Sequence, residues 1–469
     1  MNIHLLLLTV YSVGLIATGL WVARRVRTSS AFFVAGRSLG APLVAATVLA
    51  SNIGAGTTVG AAGLAYQDGV SAWWWNGSVA IGSVILAVWI GPKIWQIAAR
   101  HNLYTVGDYL ELRYGPAVRA IVASLVWLGS LSILAGQLIA GAAVLTVVAG
   151  LPRWAGTIAS AVVMTVYFMA GGLLGSAWVN AVQLCVLLSG FLIAVPIVVS
   201  NAGGLAAITH STAVPATFSD LFYSAGAGSG IALVAAFGPA FVISPGLLQK
   251  VYGASSSRAV RLGVGAQAAA IALFGVLPTL LGMAARITHP GIESQNLVLP
   301  TLLVEELPVS LGALALAAVF SAEVSTCDAI LFMLSTSLSQ DLYKRFVRPD
   351  ATDAQVLRIA RLAAVAGGIG GIVFALILPT VKDALAVFYS LLAVSLFVPV
   401  VGGLYTRRAR SGDALTAIAF GILTRIAVQY TTGGRGIGWI DPTLAGLLIG
   451  ALAFVAGMMI RRPADQPGH

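Results

Sequence analysis

The chain has 469 residues, of which 58% are hydrophobic and only 9% charged, against about 25% charged in an ordinary soluble domain. A soluble globular fold is thereby excluded, and most of the surface must face lipid. The formal net charge of +10 is not a nucleic-acid signal, because nearly all of it is sorted to one side of a series of apolar spans.

Runs long enough to cross about 30 Å of hydrocarbon, roughly 20 residues each, fall near 3–23, 41–66, 72–98, 117–149, 154–173, 176–200, 229–248, 262–285, 309–339, 357–380, 383–405, 412–430 and 442–460, thirteen in all. The first lacks a basic leading region, is too long for a signal-peptide core and ends in WVARRVR, so it reads as a retained anchor. Arg24, Arg25, Arg27 and Arg37 follow it. Lys93, Arg100, Arg113 and Arg119 come after the third span, and Lys250, Arg258 and Arg261 after the seventh. The same side then takes Lys344, Arg345, Arg348, Arg358, Arg361, Arg407, Arg408, Arg410, Arg461 and Arg462. The other side receives Arg153, Arg286, Lys382 and Arg435, with Arg425 inside a span. The bias places the N-terminus outside and the C-terminus in the cytoplasm, as an odd number of spans requires. A multi-pass protein of a cell inner (plasma) membrane is expected.

Cys185 and Cys327 both fall in spans, so no disulfide framework is expected. The five histidines are scattered without ligand spacing, and no cofactor or structural metal is indicated. Trp21, the run Trp73, Trp74 and Trp75, and Trp95, Trp154 and Trp439 sit at span ends, where amphipathic rings favour the headgroup level. Loops are short apart from 201–228 and 287–308, which leaves no room for a soluble domain. The chain therefore reads as one membrane domain over 1–469. Within it, 1–38 form a leading helix and loop, 39–203 a first repeat, 225–405 a second, and 406–469 two peripheral helices with a short tail.

The division into repeats comes from two interruptions. SNIGAGTTVG at 51–60 puts polar and helix-weakening residues in mid-span, which is tolerated only where backbone is buried in protein or lines an aqueous cavity. FGPAFVISPG at 237–246 does the same with two prolines, each of which removes a backbone donor. Counting from the second span, these are the first and sixth helices of two five-helix units of opposite orientation, the pattern of an inverted-repeat transporter whose site lies where the breaks meet. Small residues that merely permit close helix packing are the alternative for either segment alone, and a weaker one for the two together.

In FSAEVSTCDAILFMLSTSLSQDLYKRF, Ala322, Ser325 and Thr326 stand at i, i+3 and i+4 and share a helix face. Their oxygens, with main-chain carbonyls freed at 50–53, are of the kind that replaces the hydration of a hard monovalent cation. Intrahelical hydroxyl bonding to the preceding turn fits the same spacing.

The segments FFVAGRSLGAPLVAATVLASNIGAGTTVGAAGLAYQDG (32–69), HNLYTVGDYLELRYG (101–115), GGLLGSAWVNAVQL (171–184) and AAVFSAEVSTCDAILFMLSTSLSQDLYKRF (317–346) resemble the sodium/solute symporter family, which includes proline, pantothenate, choline, sialic acid and sugar transporters. The likeness runs from about residue 5 to 405. It implies an all-α, LeuT-like five-plus-five inverted repeat with one helix before and two after. It also implies a sodium site from the carbonyls of Ala50, Ile53 and Ala322 and the hydroxyls of Ser325 and Thr326. Where many relatives carry an acid in the fifth core helix, associated in some with a second sodium, this chain has Asn180.

Asp328 lies three residues beyond Ser325, about 4.5 Å along the axis, and is the candidate to hold a second cation or a positive group of the substrate. Glu323 points away from Ser325 and reads equally as a packed group, and Arg425 as a snorkelling one. Asn52, Thr57, Thr58, Asn76, Gln137, Phe241 and Tyr389 are candidates for lining a solute pocket. The function expected is sodium-coupled import of a small polar organic solute by alternating access. Proton-coupled or facilitative transport on the same fold is the alternative, and an integral-membrane enzyme the reading from another class. Interfacial loops offer no acid, base and nucleophile constellation for an enzyme. Sodium, the solute and the bilayer are the partners implied; nucleic acid is not, and oligomeric state is open.

Overall fold

In the computed structural model, which describes residues 3–23, 35–210, 214–226 and 229–460, the described chain is built of helices joined by turns and loops, with two isolated backbone bridges as its β-type pairing. Arg24, Arg25, Arg27, Arg461 and Arg462, the most basic loop and tail residues, lie outside the described residues. The leading helix α1 (Ile3–Ala23) is followed by α2 (Ala41–Asn52) and α3 (Ala61–Asp68), the two halves of the first interrupted span. Next come α4 (Trp74–Ile85) and α5 (Gly91–His101), the short α6 (Val106–Tyr114), α7 (Pro116–Ala149) and the run α8 (Arg153–Asn201). The second interrupted span is α9 (Ala232–Ile243) with α10 (Pro245–Tyr252). After it follow α11 (Ser257–Phe274), α12 (Val276–Thr288), α13 (Val298–Glu305), α14 (Val309–Thr336), α15 (Asp353–Ile377), α16 (Val381–Leu392), α17 (Val398–Tyr405), and the peripheral pair α18 (Ser411–Thr431) and α19 (Pro442–Ile460).

Among the described residues, ten helical runs are long and apolar enough to cross a membrane, and Ile3–Gly14 and Ala41–Asn52 are shorter apolar helices. Helical turns that continue through junctions account for part of the difference from thirteen expected spans. Gly56–His101, for example, joins the second half of one span to the whole of the next. The largest departure is α8, whose 49 residues cover both 154–173 and 176–200. A straight helix of that length would reach about 73 Å. Arg153 at its start donates to the carbonyls of Ala375 and Leu378, Asn201 at its end donates to the Glu306 carbonyl, and Asn296 bonds Pro379. Both ends therefore lie on one face of the bundle, and the run doubles back between Met164, which meets Cys327, and Gln183, which meets Ser321.

The AGR segment has a structural role. Arg37 donates to the carbonyls of Tyr252, Ala98 and Leu103 at 3.0, 3.1 and 2.8 Å, so one guanidinium joins the last residue of α10 to the final turn of α5 and the residues just beyond it. Beside it, Leu39 exchanges backbone bonds with Gly253 and Ser255 at 3.0 and 2.9 Å. The segment entering the first broken helix is thereby tied to the one leaving the second, so the two repeats are fastened on the basic face.

Candidate functional site

The first break follows from a redirection of amide donors. In an unbroken helix the N–H groups of Gly54, Ala55 and Thr57 would serve the carbonyls of Ala50, Ser51 and Ile53. Here Gly54 N–H goes to Thr57 Oγ1 at 2.9 Å, Ala55 N–H goes to Gln137 Oε1 on α7 at 2.8 Å, and Thr57 N–H goes to the Gly54 carbonyl at 3.1 Å. Ile53 leaves the helix with φ −90° and ψ 93°. Three main-chain oxygens are thus released at mid-helix, and the chain resumes in a π-type turn at Gly56–Gly60.

Those oxygens meet α14. Ser325 Oγ lies 2.9 Å from the carbonyls of Ala50 and of Ala322, and Thr326 Oγ1 lies 3.3, 3.3 and 3.1 Å from those of Ala50, Ser51 and Ile53. All five residues singled out for a cation, Ala50, Ile53, Ala322, Ser325 and Thr326, therefore stand in one cluster, buried between the break and α14. Ser51 joins them through its carbonyl. Gly54 is required by this approach, since a Cβ there would stand 2.4 Å from Thr326 Oγ1 and 2.8 Å from Gln137 Oε1.

The second break forms because Pro245 has no amide to give and Ser244 turns out of the helix at φ −52°, ψ 124°. Beside both breaks is a cavity of about 30 Å³ lined by Ser51, Asn52, Ile133, Phe241, Ser244, Gly246, Leu247, Thr326, Ala329, Ile330, Met333, Phe388 and Tyr389. Of the solute candidates, Asn52, Phe241 and Tyr389 line it, and the two rings pack tilted at 49° with centroids 4.6 Å apart. Trp75 and Phe237 extend the aromatic wall, 6.4 and 5.8 Å from Tyr389.

The remaining solute candidates are not in that lining. Thr57 and Gln137 hold the break open, as described. Thr58 Oγ1 donates to the Gly54 carbonyl at 2.8 Å, and Asn76 Nδ2 to that of Thr57 at 3.4 Å. Composition cannot separate an amide that caps a neighbouring break from one that lines a pocket, since the difference lies in a contact 82 residues away in sequence. Ser244 and Met333 join the lining without having been singled out by sequence; the proline following Ser244 is the signal that points to the first of them.

Asp328 and Asn180 are both buried, 6% and 1% exposed. Lys250, counted in the sequence among loop charges, is instead on α10, 3% exposed, and electrostatically engaged with Asp328. The turn that ends α10 follows two residues later, so the loop begins beyond Lys250. Glu323 is fully buried with neither carboxyl oxygen bonded among the described residues.

Comparison with known proteins matches this geometry to a family. The model of the sodium:solute symporter family matches residues 32–421. The chain is 30% identical to the sodium/pantothenate symporter of Escherichia coli (strain K12) over 455 residues, covering 91% of this chain and 89% of that one. It is 25% identical to the sodium/proline symporter of Salmonella typhimurium, covering 95% and 91%. Among solved structures, a Na+-coupled sialic acid symporter in a substrate-bound outward-open state superposes with TM-score 0.85 at 19% identity over the whole of both chains. Mhp1, a nucleobase-cation-symport-1 family transporter in a closed conformation, gives 0.60 at 14% over 93% and 96%; these two likenesses speak for the fold. With sodium-coupled symporters as its relatives, the helical bundle is a sodium-coupled symporter of a small solute working by alternating access, and the chain belongs to the sodium:solute symporter family.

Proposed function

We propose that the coupling sodium is held by the carbonyls of Ala50, Ile53 and Ala322 and the hydroxyls of Ser325 and Thr326. The observation that carries this reading is the approach of Ser325 Oγ to the Ala50 carbonyl at 2.9 Å and of Thr326 Oγ1 to that of Ile53 at 3.1 Å. A hard cation of this size takes oxygens at about 2.3–2.6 Å, so neighbouring ligands around it stand roughly 3.3–3.7 Å apart. The cluster needs only a few tenths of an ångström of expansion, with the hydroxyl protons turned outward. Bound there, the ion ties the first broken helix to α14 and favours the outward-open form; its release inward loosens the wall of the solute cavity. The orientation has the basic face in the cytoplasm of a plasma membrane.

One sodium crossing 100 mV supplies about 2.3 kcal/mol, roughly a 50-fold accumulation. A single-sodium cycle is supported by two features: Asn180 is an amide, and the buried Lys250 stands as a basic partner to Asp328. The solute is small, polar and organic. The cavity's lining carries amide, hydroxyl and aromatic groups without a charged side chain, and the N-terminus of α10 at Ser244–Gly246 opens on it, which suits a carboxylate or hydroxyl oxygen. At about 30 Å³ the cavity is below the size of such a solute, so binding displaces side chains such as Tyr389.

Uptake into proteoliposomes, screened over labelled carboxylates, amino acids and sugars, tests the reading. A steep dependence on external sodium is expected, with the half-saturating concentration raised at least tenfold in Ser325→Ala combined with Thr326→Ala. Uptake driven by a proton gradient alone, or a sodium dependence untouched by the double substitution, overturns it.

A further inference from the structure

Met333 of α14 lines two cavities. On one side is the cavity beside the breaks; on the other, toward the basic face, is a smaller one between α10, α7 and the inner end of α14. Its volume of about 10 Å³ admits one occupant the size of a water molecule. Pro245 and Gln249 form the wall from the second broken helix, and Ser337, Asp341 and Thr105 face them.

The lining is rich in oxygen. Gln249 is 3% exposed, and its Oε1 has no bonding partner among the described residues, an arrangement that costs free energy unless a donor or cation visits the site. Asp341, 4% exposed, accepts from Thr105 Oγ1 at 2.6 Å and from Arg119 at 2.8 Å. Around it acidic groups outnumber basic ones. Arg119 pairs with Asp108, Glu111 and Asp341 at 2.7–2.8 Å, and Arg345 with Glu111 at 2.5 Å, so three carboxylates face two guanidiniums. Lys250, the neighbour of Gln249, is not in the lining and is engaged with Asp328.

We propose that this cavity is a relay site for the coupling cation on its way to the cytoplasm, with Gln249 Oε1, Ser337 Oγ and the Asp341 carboxylate as its oxygens. The proposal rests on the sodium site at the first break. An ion leaving that site inward passes between α10 and α14, where Met333 is an apolar constriction; conduction past such a point is helped by a further weak site beyond it. The excess of acidic over basic side chains around the cavity suits a cation there. Because one wall belongs to α10 and the other to α14, the relay widens and opens to the cytoplasm as these helices begin to part.

The test uses the full chain in oriented proteoliposomes and reads two quantities: the external sodium that half-saturates uptake, and the internal sodium that half-inhibits it. Gln249→Met is expected to shift the first by less than twofold and to raise the second at least fivefold. Gln249→Glu, which adds a charge, is expected to lower the second at least threefold. Unchanged internal inhibition in whichever of the two folds as a monodisperse protein overturns the proposal and leaves the cavity a water site only. The sodium site itself is judged separately, by the external half-saturation of Ser325→Ala. If that does not move, the parent reading has failed rather than the relay.

Discussion

At the scale of single residues, the site depends on which donor each amide serves. Gln137 intercepts the Ala55 N–H that would otherwise close on Ser51, so Gln137→Leu leaves that amide either unpaired or back in the helix. Loss of a buried partner costs about 1–3 kcal/mol. If the helix closes instead, stability is recovered and sodium affinity is lost. Either a lower melting temperature or a half-saturating sodium raised severalfold is therefore expected, and Gln137→Glu, which keeps an acceptor, should show less of both. Gly54→Ala is a sharper probe: its methyl would meet Thr326 Oγ1 and Gln137 Oε1 well inside contact distance, whereas at Gly238 a methyl finds only Val234 at 3.8 Å. Sodium-driven uptake should fall at least tenfold in Gly54→Ala and stay within twofold in Gly238→Ala, at equal protein density in the membrane. The glycine is legible in the sequence as a break; its role as clearance for a hydroxyl on a helix about 270 positions later is not, because that contact exists only once the two helices are packed.

Among elements, the most charged junction joins α6, the start of α7 and the inner end of α14 through Arg119. This guanidinium holds Asp108, Glu111 and Asp341 together and also donates to the Gln340 carbonyl at 3.2 Å. Removing it leaves three carboxylates facing one another. Breaking a buried ion pair by deleting one partner costs about 3–5 kcal/mol, and because Asp108 and Glu111 are almost a fifth exposed the low end of that range applies to Arg119→Gln. Arg119→Lys keeps the charge without the planar fork and should fall between. A pH signature follows from Glu111. Burial pushes its carboxyl upward, but the Arg345 and Arg119 guanidiniums outweigh burial and hold it below the ordinary glutamate value. A depressed folded value means that its stabilisation is complete above the unfolded pKa of about 4.3 and is lost as pH falls through the lower folded value. Thermal unfolding in detergent should therefore show no pH dependence from this group between pH 6 and 8, where its stabilisation is fully present, and a decline below about pH 4.3 that is weaker in Arg119→Gln. A melting temperature equally sensitive to acid in both proteins would refute this assignment.

For the whole molecule, membrane class, helical character and the two interruptions can be read from the sequence because lipid enforces them: a polar, glycine-rich or proline-bearing stretch survives at mid-span only where protein or an aqueous cavity takes up its backbone groups. Solute-pocket membership is hard to read for the opposite reason. Thr57, Thr58, Asn76 and Gln137 are polar residues at membrane depth whether they face a cavity or serve a backbone, and only packing distinguishes the two. Lys250 resembles a loop charge because a cation near a span end has the same sequence context whether it is solvated or buried. The packing also shows where the two halves must separate. A Cβ built on Gly246 of α10 stands 3.1 Å from Met333 Sδ and 3.4 Å from its Cγ on α14, at the constriction between the two cavities. In Gly246→Cys combined with Met333→Cys, with Cys185 and Cys327 replaced by serine, the sulfurs come within reach of a disulfide. Alternating access requires α10 to leave α14 once per cycle, so oxidation should arrest uptake and a reductant restore it. External sodium, by favouring the form in which these helices are closed, should speed the cross-link severalfold. If the cross-linked protein still transports, α10 and α14 are not the parts that separate to open the inner side.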